Sequence, residues 1–207
     1  MKSNRWNQLF VLAFCVFLFL NSNACASKEL KESAPVLPAV ENSPLFGDVN
    51  APVKIVEFTD FECHFCGQVQ PVLQQVLQTH PKEVSLVFKS FPLVMHPHAY
   101  TAHLAVMCAN EQGKFWEYRN TLFQNQRALK RVDLVAYAAQ QGLNLEAFTQ
   151  CLDEEKYASK IEADFNEGVR TGVMGTPTFF INGRPISGAQ SFAAFEQLIQ
   201  QALAERS

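Results

Sequence analysis

The chain has 207 residues, of which 48% are hydrophobic and 18% are charged, and its formal net charge at pH 7 is -3. This composition is ordinary for a soluble globular protein, and the length suits one domain or one domain that carries a large insertion. Because the net charge is negative and no basic stripe stands out, the sequence argues against nucleic acid as the main partner.

The first 26 residues have the pattern of an export signal. A weakly basic start precedes an unbroken apolar run over 9–20, which is shorter than the roughly 20 residues that a membrane-spanning helix needs. Small residues at both ends of the tripeptide 24–26 supply a cleavage pattern. We therefore expect residues 1–26 to be a signal peptide and the protein to be exported; an uncleaved membrane anchor is the alternative.

Cys25 leaves lipidation open, since bacterial lipoproteins are cleaved just before a lipid-bearing cysteine. Ser22 stands where that pattern prefers an apolar residue, so a lipid anchor at Cys25 is the weaker expectation. Cleavage after 26 would remove Cys15 and Cys25. The four cysteines that remain form an even number, which permits disulfides outside the cytoplasm: Cys63, Cys66, Cys108 and Cys151.

Residues 27–50 contain three prolines and no sustained periodicity. This pattern predicts a flexible tether with little structure of its own. It offers no heptad pattern long enough for an oligomerisation stalk, so we expect a monomer.

A β-α-β unit is predicted from Ala51 onward. The β-branched apolar run 53–58 indicates a central strand, and residues 63–79 indicate a helix with a kink at Pro71. The second strand is predicted at 83–91 and should be parallel to the first, as in other β-α-β units.

The rest of the chain is predicted to be helical and then to return to strand. A hairpin is expected over 176–188, with a type I′ turn at Asn182-Gly183, and a last helix from its N-cap Ser191 to Ala204. Five segments before the hairpin have apolar residues at helical spacing: 98–112, 114–126, 133–141, 145–152 and 155–171.

This order of elements predicts an α/β protein with the thioredoxin fold, in which one mixed central sheet is interrupted by an inserted all-helical domain. The two halves of the sheet each bring a helix to cover it. The expected thioredoxin-like domain comprises 51–92 and 173–207, and the inserted helical domain comprises 93–172.

Cys63 and Cys66 stand two residues apart directly after the first strand. A structural zinc site needs four ligands, but no second C-x-x-C follows. His98 and His103 are five residues apart and lie on different helical faces. We therefore predict no metal, and expect these histidines and His96 to be surface or domain-boundary residues. A purely structural bridge is the second alternative, although so small a loop restricts the unfolded chain very little.

Thiol–disulfide exchange fits the position of the pair better. At a helix N-terminus, free N–H groups and the helix dipole favour an anion, and cysteine pKa values there fall to about 3.5–7.5. Cys63 is therefore the expected nucleophile and Cys66, one turn further, the resolving thiol. No cofactor is required. His64 between them would favour the thiolate if it is cationic; a solvent-facing imidazole with little effect is the alternative.

Four segments resemble the DsbA-like thiol:disulfide oxidoreductases of bacterial cell envelopes: FTDFECHFC, VFKSFPL, GKFWEYRNTLF and GTPTFFINGRPISGAQ. They occur in the family's order, and the resemblance runs from 45 to 204. It implies that Pro177 is a cis proline whose loop packs against Cys63 and Cys66. The Thr176 backbone would pair with an extended substrate peptide.

The resemblance implies further pairs of residues. Glu57 lies six residues before the first cysteine of the motif and Lys89 ends the second strand; both match charged positions beneath the family's active site. A Glu57–Lys89 pair near Cys66 would help to move its proton, and a plain structural ion pair or an exposed Lys89 is the alternative. Some relatives carry a second, structural disulfide, here Cys108–Cys151; two buried free thiols are the alternative.

The implied function is an envelope oxidase that donates disulfides to reduced or unfolded exported proteins and is reoxidised by an integral-membrane, quinone-linked partner. An apolar groove that includes Phe61 and Phe65, with Val94 and Met95, would bind the unfolded chains.

Other functions stay open at this point. Histidine comes first and phenylalanine second between the cysteines, where the family's best-known oxidase has proline and then histidine. An envelope reductase or isomerase is therefore the alternative, and the absence of a stalk pattern weakens the isomerase. A non-catalytic metal-binding or chaperone module is a third interpretation.

Overall fold

The computed structural model describes residues 38–205. The predicted signal peptide, Cys15, Cys25 and the first part of the predicted tether lie outside these residues. The described elements are β1 Leu45–Phe46, β2 Val53–Thr59, α1 His64–Thr79, β3 Val84–Ser90, α2 Ala99–Asn110, α3 Phe115–Gln124, α4 Arg131–Gln140, α5 Leu145–Asp153, α6 Ala158–Arg170, β4 Thr178–Ile181, β5 Arg184–Ser187 and α7 Phe192–Ala204. Between 38 and 205, no helix is long and apolar enough to cross a membrane.

The sheet is mixed, with the strand order β1-β3-β2-β4-β5. Strands β2 and β3 are parallel, as predicted for the β-α-β unit, and the other neighbours are antiparallel. Helices α2 to α6 all lie between β3 and β4 in the chain. This arrangement confirms the predicted α/β fold with a helical insertion, while the boundaries assigned to the two domains stay predictions.

Strand β1 corrects part of the predicted tether. Leu45 and Phe46 pair with Val87 and Leu86 of β3, and the Trp116 indole N–H donates to the Leu45 carbonyl at 3.3 Å. A strand of two residues carries no periodicity from which it could be recognised. It forms because the outer edge of β3 offers unpaired backbone groups.

The two faces of the sheet carry different cores because successive side chains of a strand point to opposite faces. Val53 and Ile55 pack with α1 and α7, through residues such as Val69 and Phe195. Val56 belongs to a separate cluster on the other face. This alternation decides which charged residues of β2 and β3 can meet.

The turns and caps follow their local sequence. Asn182 and Gly183 both have positive φ, 45° and 87°, as a type I′ turn requires. The Ser191 side chain accepts a hydrogen bond from the Ala194 N–H, as an N-cap should. Helix α6 begins at Ala158 rather than at 155, because the preceding turn places Glu155 at φ 47°. Helix α1 runs through Pro71, and the expected kink there stays a prediction.

Candidate active site

Cys63 is the N-cap residue of α1, directly after the turn that follows β2. Its backbone N–H donates to the carbonyl oxygen and to a side-chain oxygen of Asp60, each at 3.2 Å. In its protonated form, the Cys63 thiol donates to the backbone carbonyl of Thr176 at 3.3 Å. The sulfur therefore lies between the start of a helix and a loop more than a hundred residues further along the chain.

The surroundings of Cys63 favour its thiolate and lower its pKa from 9.0 to about 5. The largest cause is a hydrogen bond from the Cys66 thiol, and smaller ones come from the Thr176 side chain and from the N–H groups of Cys66 and Phe65. Burial acts in the opposite direction. Donors that converge on a sulfur at a helix N-terminus stabilise its negative charge. Cys63 is thus ionised at neutral pH.

Cys66 has the opposite character. It is fully buried, and burial raises the pKa of its thiol, as do its hydrogen bond to Cys63 and the negative charge there. Thr59 and the Asp60 backbone offset only part of this. Both cysteines are in the reduced form. One thiol is a ready nucleophile and the other holds its proton.

The loop before β4 completes the site. The Thr176–Pro177 peptide is cis, and the Pro177 carbonyl accepts a hydrogen bond from the Gly188 N–H at 2.8 Å. Strand β4 begins at Thr178, which pairs with Phe58 near the end of β2. Because β2 leads directly into the cysteine motif, this pairing brings the proline loop to Cys63.

The predicted Glu57–Lys89 pair is wrong. In the parallel register, Glu57 lies opposite Phe88, and Lys89 lies opposite Phe58. The side chains of Glu57 and Lys89 therefore point to opposite faces of the sheet. A shared role for these two residues in moving the Cys66 proton is excluded by this geometry.

Each of the two charges has another buried partner. Glu57 accepts a hydrogen bond from Arg119 of α3 at 2.5 Å, and both side chains are almost completely buried. Lys89 lies 2.8 Å from Glu167 and 3.3 Å from Asp164, both on α6. Sequence reasoning missed Arg119 because nothing in the local pattern joins α3 to β2.

Phe61 does not belong to a substrate groove. It is fully buried, and its ring lies 4.8 Å from that of Phe123, 5.8 Å from that of Phe88 and 4.7 Å from that of His103. His103 is also fully buried, contrary to the expectation of a surface residue, because α2 turns it towards these rings. Burial lowers the pKa of His103 to about 4.

Exposed apolar side chains do occur around the motif and in neighbouring loops. Val94 is 99% exposed and Met95 and Phe65 are also largely exposed, as a substrate surface would require. Met174, two residues before Thr176, is 98% exposed and was missed, since a single methionine carries no pattern. His64 is exposed, with its ring 5.8 Å from that of Phe65, and its effect on Cys63 stays a prediction.

Asp60 is a third residue that sequence reasoning missed. It is fully buried, and its carboxylate accepts hydrogen bonds from the Leu93 N–H at 2.7 Å and from the Glu62 N–H at 2.7 Å, besides that from Cys63. His96 Nδ1 lies 2.9 Å from the same carboxylate. Asp60 thus fixes the cysteine turn to the loop after β3. The sequence feature that could have identified Asp60 is its position as an acidic residue between a strand and a C-x-x-C motif.

The helical insertion carries its own bridge. Cys108 of α2 and Cys151 of α5 are joined by a disulfide, with their Cα atoms 5.8 Å apart. Among residues 38–205, no group of three or more His, Cys, Asp or Glu side chains is arranged to hold a metal ion.

Comparison with known proteins places this arrangement in a family. A family described as "Thioredoxin" matches residues 39–201. Among curated proteins, the chain is 37% identical over 159 residues to "Na(+)/H(+) antiporter NhaA 3" of Salinispora tropica, a match that covers 76% of this chain and 24% of that protein. It is 33% identical over 155 residues to "Na(+)/H(+) antiporter NhaA" of Herminiimonas arsenicoxydans, covering 75% and 24%. The chain spans about a quarter of the length of these relatives.

Solved structures share the fold over most of the chain. Oxidised BdbD from Bacillus subtilis has a TM-score of 0.73 at 22% identity, covering 83% of this chain and 98% of that one. Wolbachia pipientis alpha-DsbA1 has a TM-score of 0.70 at 22% identity, with the same coverage of 83% and 98%. A periplasmic thioredoxin-like protein from Salmonella enterica serovar Typhimurium has a TM-score of 0.65 at 22% identity, covering 80% and 94%.

Proposed function

The chain belongs to the thioredoxin family and has the fold of its DsbA-like members, and we propose that it is a thiol:disulfide oxidoreductase that donates disulfides to exported proteins. The observation that carries this proposal is the contrast between Cys63, whose pKa is lowered to about 5, and the buried Cys66, whose pKa is raised. A pair of neighbouring thiols with opposite shifts can perform the two halves of an exchange reaction in a set order.

In the proposed reaction the oxidised enzyme holds a Cys63–Cys66 disulfide. A substrate thiolate attacks the Cys63 sulfur, a substrate–Cys63 bond forms, and Cys66 leaves as a thiolate and takes up a proton. A second substrate thiolate then attacks the substrate sulfur of this mixed disulfide, and Cys63 leaves as a thiolate. The substrate loses two electrons and gains a disulfide, and the enzyme becomes the dithiol. This chemistry requires no cofactor.

The low pKa of Cys63 supports donation rather than reduction. A thiolate that is stable at neutral pH is a good leaving group in the second step. It also stabilises the reduced enzyme relative to the disulfide, which makes the disulfide a stronger oxidant. A reductase needs the opposite, a disulfide form that is stable relative to the reduced enzyme.

Substrate binding is proposed at the exposed apolar side chains of Phe65, Val94, Met95 and Met174. Unfolded chains expose apolar groups, so contacts of this kind require no particular sequence. The Thr176 carbonyl oxygen lies 3.3 Å from the Cys63 sulfur. It can accept a hydrogen bond from the backbone of an extended substrate peptide that binds beside this sulfur.

Export, a monomeric state and reoxidation by an integral-membrane, quinone-linked partner complete the proposal, and they rest on the sequence pattern and the family resemblance. Antiporter activity is not proposed, since the match to those relatives covers only 24% of their length.

The reduction potential of the Cys63–Cys66 pair tests the direction of transfer. We would equilibrate the protein with glutathione buffers, trap the thiols, and read the two peptides separately by mass spectrometry so that Cys108–Cys151 does not contribute. A value near about -120 mV supports a donor, and one near about -270 mV would make this an envelope reductase.

Two variants test the residue roles. Cys63→Ser should abolish oxidation of a reduced substrate protein. Reduced Cys66→Ser should accumulate a mixed disulfide with a disulfide-bonded substrate, because the Cys63 thiolate can attack that disulfide but no Cys66 thiol remains to resolve the product. Unchanged binding together with absent exchange in the wild type would instead support a chaperone module.

A further inference from the structure

Gln126 is a polar residue outside the motif that contacts the redox turn directly. It lies in the loop between α3 and α4. Its side-chain amide donates to the Phe61 carbonyl at 2.9 Å and to the Cys63 carbonyl at 2.8 Å. These two carbonyls flank the turn that presents Cys63, so one amide holds both sides of that turn.

The Cys63 carbonyl is also the first hydrogen-bond acceptor of α1. It accepts from the Cys66 N–H at 3.1 Å and from the Gly67 N–H at 3.2 Å, in addition to Gln126. The orientation of this carbonyl and that of the first helical N–H groups are set together, because they belong to the same turn. A donor that fixes the carbonyl therefore also fixes the N–H groups of Phe65 and Cys66, which face the Cys63 sulfur.

Gly67 provides the space that Gln126 occupies. A Cβ atom built at position 67 would overlap the side-chain oxygen of Gln126 and lie 2.8 Å from its Cδ. The φ of Gly67 is not positive, so the backbone does not require glycine there. Glycine within a helix is less favourable than alanine, which leaves the Gln126 amide as the physical reason for a glycine at this position.

We propose that Gln126 is a positioning residue of the redox centre, and that Gly67 is small in order to admit its amide. By holding the Cys63 carbonyl, Gln126 keeps the first N–H groups of α1 aimed at the Cys63 sulfur. This orientation favours the thiolate of the reduced enzyme and so makes the disulfide a stronger oxidant. This inference rests on the proposed exchange reaction at Cys63 and Cys66.

Four variants test the inference: Gln126→Ala, Gly67→Ala, the double variant, and Gln124→Ala as the control. Gln124 is an exposed glutamine at the end of α3 and has no described hydrogen bond to the redox turn. The measurements are the thiolate absorbance of Cys63 against pH and the equilibrium constant with glutathione, each with a urea unfolding curve as a check of folding.

Gln126→Ala should raise the pKa of Cys63 and shift the equilibrium towards the disulfide by about two- to ten-fold, the usual net effect of a lost hydrogen bond. Gly67→Ala should produce a similar shift by displacing the amide. The double variant should shift no further than either single one, and Gln124→Ala should not shift. Gly67→Ala should also stabilise the fold in the Gln126→Ala background, where alanine is the better helix residue.

The inference would be overturned if the shifts caused by Gln126→Ala and by Gly67→Ala multiply in the double variant. It would also be overturned if Gln126→Ala leaves both the pKa of Cys63 and the equilibrium with glutathione unchanged. Gln126→Glu keeps the size of the side chain if the alanine variant fails to fold. Its carboxylate cannot donate to the two carbonyls, so it should raise the pKa of Cys63 at least as far, and an unchanged value would refute the positioning role. A wild type that exchanges no disulfides with glutathione refutes the proposed function itself, which is a separate result.

Discussion

The buried ion pair between Glu57 and Arg119 allows a direct test of how the fold stabilises charge in its interior. Glu57 of β2 and Arg119 of α3 are almost completely buried and lie 2.5 Å apart. The Arg119 guanidinium also stacks on the rings of Phe123 at 4.8 Å and Trp116 at 5.4 Å. Replacing Arg119 by Met keeps much of the volume and removes the charge, so Glu57 is left as a buried carboxylate without a cationic partner.

The expected loss in the free energy of unfolding is about 3–5 kcal/mol, because an uncompensated charge remains buried. Arg131→Met is the matched control. Arg131 also pairs with a carboxylate, Asp153, at 2.7 Å, but the two side chains are 53% and 57% exposed. An exposed pair of this kind contributes roughly 0–1 kcal/mol.

Urea unfolding at pH 7.5 measures both effects. Adding Glu57→Gln should recover much of the loss at pH 7.5, since a neutral amide is cheaper to bury than an unpaired carboxylate. The reasoning is refuted if Arg119→Met costs no more than Arg131→Met, or if the double variant is no more stable than the single one.

Three further predictions concern other titratable and bridged groups. Because a hydrogen bond from Cys66 is the largest cause of the low pKa of Cys63, Cys66→Ala should raise that pKa more than Cys66→Ser, as measured by the pH dependence of alkylation of Cys63. Removing the Cys108–Cys151 bridge, which spans a sequence separation of 43, should lower the free energy of unfolding by about 4 kcal/mol in the entropic model; an unchanged urea midpoint would contradict this. The pKa of buried His103 is lowered to about 4, so the unfolded chain binds a proton before the folded one and stability should fall as the pH drops from about 6.5 towards 4. His103→Phe should show a flatter stability profile over that interval, and an identical slope in the two proteins would refute it.

Most of the sheet and helices could be predicted because their signals are local. The β-branched run of β2 and the helical spacing after β3 depend on residues only a few positions apart. The turn at Asn182-Gly183 depends on two residues that tolerate positive φ. Strand β1 could not be predicted, since its two residues acquire their structure only from the free edge of β3.

The candidate site also has some features that local sequence could predict and others that it could not. A cysteine directly before a helix lies at the helix N-terminus independently of the tertiary structure. The reactivity of Cys63 and the burial of Cys66 one turn later could therefore be expected. The partner of Glu57 could not, because it depends on the face of β2 from which the side chain points and on the position of α3 against that face. The burial of Phe61 depends in the same way on rings from three other elements.

The sequence by itself determined the elements, their order and the position of the cysteine pair, because these properties follow from periodicity and spacing within one or two turns of chain. Apart from the proline loop, which the family resemblance implied, only the tertiary structure decided which groups surround that pair. Gln126 reaches the Cys63 carbonyl across a separation of 63 residues. Contacts over such distances are set by strand register and helix packing, and no short stretch of sequence encodes them.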